Sequence, residues 1–402
     1  MADIKGSYKI YAGNYDWGCA IDQAVIHLEE RISSVDAAAL KVTEHKLVTV
    51  EDQPDFPVRE AMISRTITEA YLCDEDGVRV SGPSDCFALK LAVSPVVGSP
   101  LVCRGVHGIF RWSDPYELII EGPGMAIDRA FTARITAADA FVKGHYETSS
   151  GISYDYAAFT PAKESDLLLV WLHGLGEGQE EGSDAYLPLL GHKGTSLAGD
   201  ALQETLGGAH ILVPQCPTYW MDGDGRCTNF AGGTIAATSV SYYTESLEEM
   251  IDWYAAGIGA KKILLAGCSN GGFMTMVLSM HRPERYAAAV PVCEAVPDAS
   301  ITEAQIRQLV KIPIYFIYCI KDPVVPPQLH EIPTIKRLRD AGHPDLMVYE
   351  SSQVVDTTGL YKNEDGSPYE YMSHLSWVHF DNDEDEYGRK LGVWEWMRQQ
   401  LN

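Results

Sequence analysis

The segment Lys262-Ile263-Leu264-Leu265-Ala266-Gly267-Cys268-Ser269-Asn270-Gly271-Gly272 runs from an apolar strand-like stretch into the helix-like Phe273–Met280 through a serine set between glycines. A strand that turns this sharply into a helix must pass backbone against backbone, so glycines two before and two after the serine are a steric requirement. Such a chain has to stack a buried strand against a buried helix, which is the arrangement of a layered α/β sheet. The same turn would expose the Ser269 hydroxyl, making it a candidate nucleophile. A glycine-rich turn without chemistry is the competing reading, and the rest of the chain decides between them.

The text on either side of residue 140 differs in kind. From about Lys9 to Ala140 it consists of short runs rich in Val, Ile, Thr, Tyr and Phe, such as Lys41–Val48, Phe87–Val93 and Tyr116–Ile120, broken by turn signals at Asp76-Gly77 and Gly98-Ser99-Pro100. No helical periodicity interrupts them, so an all-β sandwich is expected over 1–140. Beyond it, apolar runs alternate with helical patterns, as expected of a mostly parallel sheet covered on both faces over 141–402. The predicted strands are Leu167–Trp171, Ile211–Val213, Ile263–Ala266, Ala288–Val292, Ile314–Cys319 and Leu346–Glu350. Between them, Ser246–Tyr254 and Gly272–Met280 read as helices.

A chain of 402 residues with 46% hydrophobic and 22% charged side chains is long enough for two cores and is not disordered. Its 56 acidic against 31 basic side chains leave a formal charge of −25, which repels phosphate backbones and anionic membrane surfaces. Nucleic acid and membrane are therefore not expected partners. The acidic run Asp381–Glu386 is expected to be a solvated loop. No basic-then-apolar leader and no membrane-length apolar run is present, so the expectation is a cytoplasmic protein, with secretion after removal of a leader as the alternative. The nine cysteines are scattered, which argues against a zinc site and a disulfide framework. Cys268, Cys293 and Cys319 read as buried thiols, while Cys216 with Cys227, or Cys86 with Cys103, would pair only outside the cell.

A serine hydroxyl needs a base, and the base needs an orienting acid. Asp322 follows the strand-like Ile314–Cys319 where Pro323, Pro326 and Pro327 force the chain out of the sheet, so it is the candidate acid, ahead of Asp345 and Asp356. His374 is the candidate base and His379 the alternative. Backbone N–H donors for a developing oxyanion are expected from the glycine-rich turn His173–Gly178, through Leu175, and from Asn270 after the serine. That turn is not a phosphate loop, because no lysine follows in register. Trp220, Glu177 and Trp377 are candidate substrate contacts, with core packing as the plainer reading of the aromatic ones.

These parts resemble serine esterases of the α/β-hydrolase superfamily related to prolyl oligopeptidases, feruloyl esterases and polyhydroxybutyrate depolymerase-like esterases. The likeness is carried by His173-Gly174-Leu175-Gly176-Glu177, Pro214-Gln215-Cys216-Pro217 with Trp220, and Gly267–Thr275. Arg282–Cys293, Lys321–Pro326 and His374–Trp377 continue it. The order Ser269, Asp322, His374 is that superfamily's order. The resemblance implies an α/β-hydrolase fold, preceded over 1–140 by an immunoglobulin-like domain, and hydrolysis of carboxylic esters without metal or organic cofactor. Short acyl or hydroxycinnamoyl esters are implied, free or attached to a polymer such as a polysaccharide. Relatives usually carry glycine before the histidine, where this chain has Ser373.

Two other functions compete with a serine carboxylesterase. One is a peptidase of prolyl oligopeptidase type, for which the N-terminal region is too short to be a propeller. The other is a binding protein whose hydrolase half is vestigial. A homo-oligomer is compatible with all three.

Overall fold

The computed structural model describes residues 3–401 except 51, 52, 54, 180–182 and 232. The chain forms two compact units, Met1–Asp139 with Leu190–His192, and Ala140–Leu189 with Lys193–Asn402.

The N-terminal unit is all strand apart from short 3₁₀ turns. Ile4–Tyr15, Gly18–Ile32, Ser84–Leu91 and Ile67–Cys73 pair antiparallel in that order. A second sheet joins Val58–Arg65, Lys41–Thr49 and Tyr116–Glu121. Alternation decides which face is inside: Tyr8, Ile10 and Ala12 are buried while the residues between them are not. Tyr8 reaches from the first sheet to the second, where its hydroxyl accepts the Leu118 N–H at 2.8 Å. Arg65 reaches the other way to the Ile21 carbonyl at 2.8 Å and pairs with the fully buried Glu44. Two further pairings of the first sheet are parallel. Met125–Ile127 and Ala133–Thr136 both lie parallel to Ile4–Tyr15, making that sheet mixed.

The larger unit is an eight-stranded sheet. Its strands are β1 (Val142–Glu147), β2 (Ser153–Phe159), β3 (Leu167–Leu172), β4 (His210–Gln215), β5 (Lys262–Cys268), β6 (Ala288–Val292), β7 (Ile314–Cys319) and β8 (Leu346–Ser351). They stand in the order 1-2-4-3-5-6-7-8, with β1 and β2 antiparallel to their neighbours and the rest parallel. Strands β3, β4, β6 and β7 are buried along their whole length, which is why they read as continuous apolar runs. Beyond the single turn Leu187–Leu190, the described helices are α1 (Asp200–Leu206), α2 (Thr244–Ile258), α3 (Asn270–His281), α4 (Glu303–Leu309), α5 (Glu331–Asp340), α6 (Trp377–Asn382) and α7 (Val393–Gln399). Residues 270–280 of α3 are all buried, the condition of a helix apolar on every side. Among the described residues no helix is long and apolar enough to cross a membrane.

The acidic run corrects one expectation. Asp381, Asp383 and Asp385 are buried, and the carboxylates of Asp383 and Asp385 serve loop N–H groups and cations. Asp383 accepts the Trp394 N–H at 3.4 Å, and Asp385 accepts the Arg389 N–H at 3.0 Å and its guanidinium at 2.7 Å. All nine cysteines are free, with Cys268, Cys293 and Cys319 in the core.

Candidate active site

Strand β5 ends at Cys268 and α3 starts at Asn270, leaving Ser269 alone in the turn with φ 54° and ψ −116°. A serine is costly there, and the neighbouring backbone holds it in place. The Ser269 N–H donates to the Val292 carbonyl at 2.8 Å and its carbonyl accepts from the Phe273 N–H at 2.8 Å. The glycines have individual reasons. A Cβ on Gly271 would stand 1.9 Å from the Leu172 carbonyl oxygen, one on Gly267 2.7 Å from that same atom, and one on Gly272 2.7 Å from the Val292 oxygen. The elbow is thus wedged between β3 and β6, and Ser269 is part-exposed between buried Cys268 and Asn270.

Asp322 leaves the end of β7 and His374 precedes α6. The structure brings both to the elbow. His374 Nε2 lies 2.9 Å from Ser269 Oγ, and its Nδ1 lies 2.7 Å from Asp322 Oδ2. The other carboxylate oxygen of Asp322 accepts the Val324 and Val325 N–H groups at 2.8 and 2.9 Å, so the proline-forced exit also fixes the acid's orientation. With Asp322 accepting the hydrogen bond of the Nδ1–H, Nε2 is left to accept from the serine hydroxyl. The acid's side chain is fully buried and the histidine's nearly so. The Trp377 ring meets the His374 ring edge-on at 5.4 Å.

His379 is elsewhere. Its Nδ1 lies 3.0 Å from the Glu384 carbonyl, its ring packs on Tyr349 at 5.2 Å, and burial holds its pKa down. Asp345 instead accepts the Trp396 indole N–H, and Asp356 accepts Thr358, Gly359 and Tyr371. Replacing His374 by alanine is therefore expected to cut kcat about 10⁴-fold or more, while His379→Ala changes it less than about tenfold. Steady-state ester hydrolysis by the two variants distinguishes them.

The glycine-rich loop after β3 is fastened from one side. Cys216 N–H donates to His173 Nε2 at 2.9 Å, so the imidazole proton is on Nδ1, which reaches the Gly174 carbonyl at 2.6 Å. Glu177 accepts the Gly174 N–H at 2.9 Å, the Gln215 amide donates to the Glu177 carbonyl at 2.9 Å, and Gln179 N–H donates to the Cys216 carbonyl at 2.7 Å. This clamp leaves the Leu175 N–H without an acceptor among the described residues, and the Asn270 N–H likewise. The side-chain roles of Gln215 and Asn270 were not foreseen from the sequence. Asn270 Oδ1 accepts the Met221 N–H at 3.0 Å, tying the segment after Pro214–Pro217 to the elbow. Such links join residues far apart in the chain and leave no local pattern.

Two candidate substrate contacts are displaced. Trp220 is fully buried against His173, Tyr154 and Tyr243, and Glu177 is buried as the loop's capping carboxylate. Both are packing residues for the loop, because the clamp needs a floor and an acceptor. Trp377, part-exposed, is the one of the three whose ring meets His374.

Comparison with known proteins adds to this geometry. Residues 156–353 match the family model of phospholipases and carboxylesterases. The larger unit has the α/β-hydrolase fold, and residues 156–353 within it carry the match to this carboxylesterase family. A solved thermostable esterase shares the hydrolase's fold, with 20% identity over 98% of this chain and 99% of that one and a TM-score of 0.70. A ferulic acid esterase aligns at 13% identity over 52% of this chain and 89% of its own, with a TM-score of 0.37. Est1E from Butyrivibrio proteoclasticus aligns at 14% over 64% and 98%, with a TM-score of 0.39. The hydrolase acts on ester bonds.

Proposed function

We propose that the protein is a serine carboxylesterase working through an acyl-enzyme on Ser269, with His374 as general base and acid and Asp322 as its orienting partner. One observation carries this reading: Ser269 Oγ, His374 and Asp322 form an unbroken hydrogen-bonded line at a strand-to-helix elbow. His374 Nε2 takes the hydroxyl proton as Oγ attacks the ester carbonyl, the alcohol leaves with that proton, and water repeats the sequence to release the acid. The N–H groups of Leu175 and Asn270 receive the oxyanion. No step calls for a metal or an organic cofactor.

The oxyanion assignment has a direct test. Gly174 has ψ 179°, which suits a following proline, and Leu175 is the first residue of its 3₁₀ turn, where proline fits. Leu175→Pro removes the N–H together with a side chain that packs against the core, so it is compared with Leu175→Ala, which removes the side chain alone; relative to that variant kcat is expected to fall about 10²- to 10³-fold. An unchanged kcat would remove Leu175 from the site.

Short acyl and hydroxycinnamoyl esters, free or polymer-bound, are the proposed substrates. The part-exposed Trp377 ring beside His374 suits an aryl acid, whose face stacks on an indole. Turnover of acetyl, butyryl, octanoyl and feruloyl esters measures this, and loss of feruloyl preference in Trp377→Ala is the expected outcome. Equal preference in both proteins would leave only the short-acyl proposal.

A further inference from the structure

The scattered spacing of the cysteines hides what strand pairing brings together. In the first sheet of the N-terminal unit, Cys86 stands directly opposite His27 on one side and Cys73 on the other. Opposed residues of neighbouring strands point to the same face, so the three side chains share one rung. It is the face turned away from the unit's core, because Ile26 and Leu28 on either side of His27 are buried while His27 is exposed. A turn folds over part of this face. Asp74 N–H donates to the Val78 carbonyl at 2.9 Å, and a Cβ on Gly77 would come within 3.0 Å of Val25 Cγ2. Beneath the turn Cys73 and Cys86 are buried, and a cavity of about 220 Å³ is lined by Ser7, Lys9, Val25, His27, Glu75 and Cys86 among others.

An alternating strand would send Asp85 to the opposite face from Cys86. The ladder between Gly18–Ile32 and Ser84–Leu91 breaks its register at that point, since His27 pairs with Cys86 and the next pair is Ile32 with Ser84. Residues 28–31 of one strand therefore stand against Asp85 alone, and such an irregularity re-aims the side chain that it carries. The outcome is a convergence of three different donors. Asp85 Oδ2 lies 4.0 Å from His27 Nε2, and one donor atom each of His27, Asp85 and Cys86 lie within 4.8 Å of one another.

We propose that His27 Nε2, the Asp85 carboxylate and Cys86 Sγ form a binding site for a zinc-class dication, which clamps these two strands together and has no role in the hydrolysis. Nitrogen, oxygen and sulfur in one set suit Zn²⁺, whereas Ca²⁺ and Mg²⁺ take oxygen donors. Tetrahedral zinc holds its donors about 3.3 to 3.8 Å apart, so the three have to draw in by about 1 Å. Rotation of the exposed His27 and Asp85 side chains supplies that movement. Water takes the fourth position. The charged groups facing Cys86 are Asp85 and Glu75 against Lys9, whose ammonium is held by the Glu75 carbonyl at 3.3 Å. A dication is attracted to that net negative setting. On binding, the metal replaces the Cys86 thiol proton, which passes to solvent, and His27 coordinates as the neutral ring.

The test uses the full-length protein with its thiols reduced and its metals removed by chelation. Titration with Co²⁺ is expected to give a near-ultraviolet sulfur-to-cobalt charge-transfer band and the intense visible bands of four-coordinate cobalt, both lost when Zn²⁺ is added. Cys86→Ser is expected to lose the charge-transfer band. His27→Ala and Asp85→Ala, at exposed positions that leave the fold intact, are expected to weaken Zn²⁺ at least about tenfold in competition with a chromophoric chelator. A natural protein that shows no charge-transfer band overturns the proposal. A band that persists in Cys86→Ser overturns it too, because the sulfur then belongs to another cysteine, such as Cys293, whose thiol lies within 4.8 Å of donors from Asp322 and His374. Zn²⁺ bound as tightly by His27→Ala and Asp85→Ala as by the natural protein has the same consequence.

Discussion

Ser269→Ala is expected to lower kcat for ester hydrolysis by about 10⁵- to 10⁶-fold, with KM and melting temperature close to those of the natural protein. The reasoning is local. Alanine retains the Cβ, so the unusual backbone at φ 54° is no more strained than before, and the N–H to Val292 and the carbonyl to Phe273 keep their bonds. Only the hydroxyl is gone. What remains is binding and the oxyanion donors, which alone sustain a small fraction of the rate. Purified variant and natural protein compared on p-nitrophenyl acetate and butyrate measure the difference, and circular dichroism checks the fold.

Gly271→Ala is expected to destabilise the larger unit by about 4 kcal/mol or more, among the largest effects of any single methyl group in this chain. On propensity alone the sign would be opposite, since alanine exceeds glycine in a helix by about 1 kcal/mol. Sterics reverse it. The added Cβ would meet the Leu172 carbonyl oxygen at 1.9 Å, its carbon at 2.3 Å and the His173 oxygen at 2.7 Å, all backbone atoms of the strand and loop beside the elbow. To relieve the clash, α3 has to move off β3, separating Ser269 from the loop that carries Leu175. Thermal melts should show a midpoint lowered by about 10 °C. As a control, Gly257→Ala in α2, where an added Cβ meets nothing, should be neutral or mildly stabilising.

The legible parts of this chain are those where burial is continuous along the sequence. Strands β3 to β7 are legible to within a few residues of their bounds because a parallel strand covered on both faces is an unbroken apolar word. Strand β1 at the sheet edge is not legible in the sequence, since Val142 and Lys143 are exposed and no residue of it is buried. The parallel pairing of Ile4–Tyr15 with Ala133–Thr136 was equally hidden, because strand order is a property of distant partners. Polar burial was the least readable. Asp383 and Asp385 look solvated as part of an acidic string, and only the folded loop reveals the N–H groups and cations that they serve. In the site, Ser269, Asp322 and His374 could be nominated because each sits where a strand ends or a loop returns. The Gln215 clamp and the Asn270 link could not, since each depends on a partner found by folding.

The most direct test is to mix the protein with p-nitrophenyl acetate, quench in acid within the first turnovers, and determine intact mass followed by peptide mapping. An acetyl group carried by the peptide containing Ser269, absent from Ser269→Ala and accumulating together with a burst of p-nitrophenol, is the expected result. Turnover with no acetylated enzyme at any quench time, or an acetyl group on another residue with Ser269→Ala still active, would contradict the account.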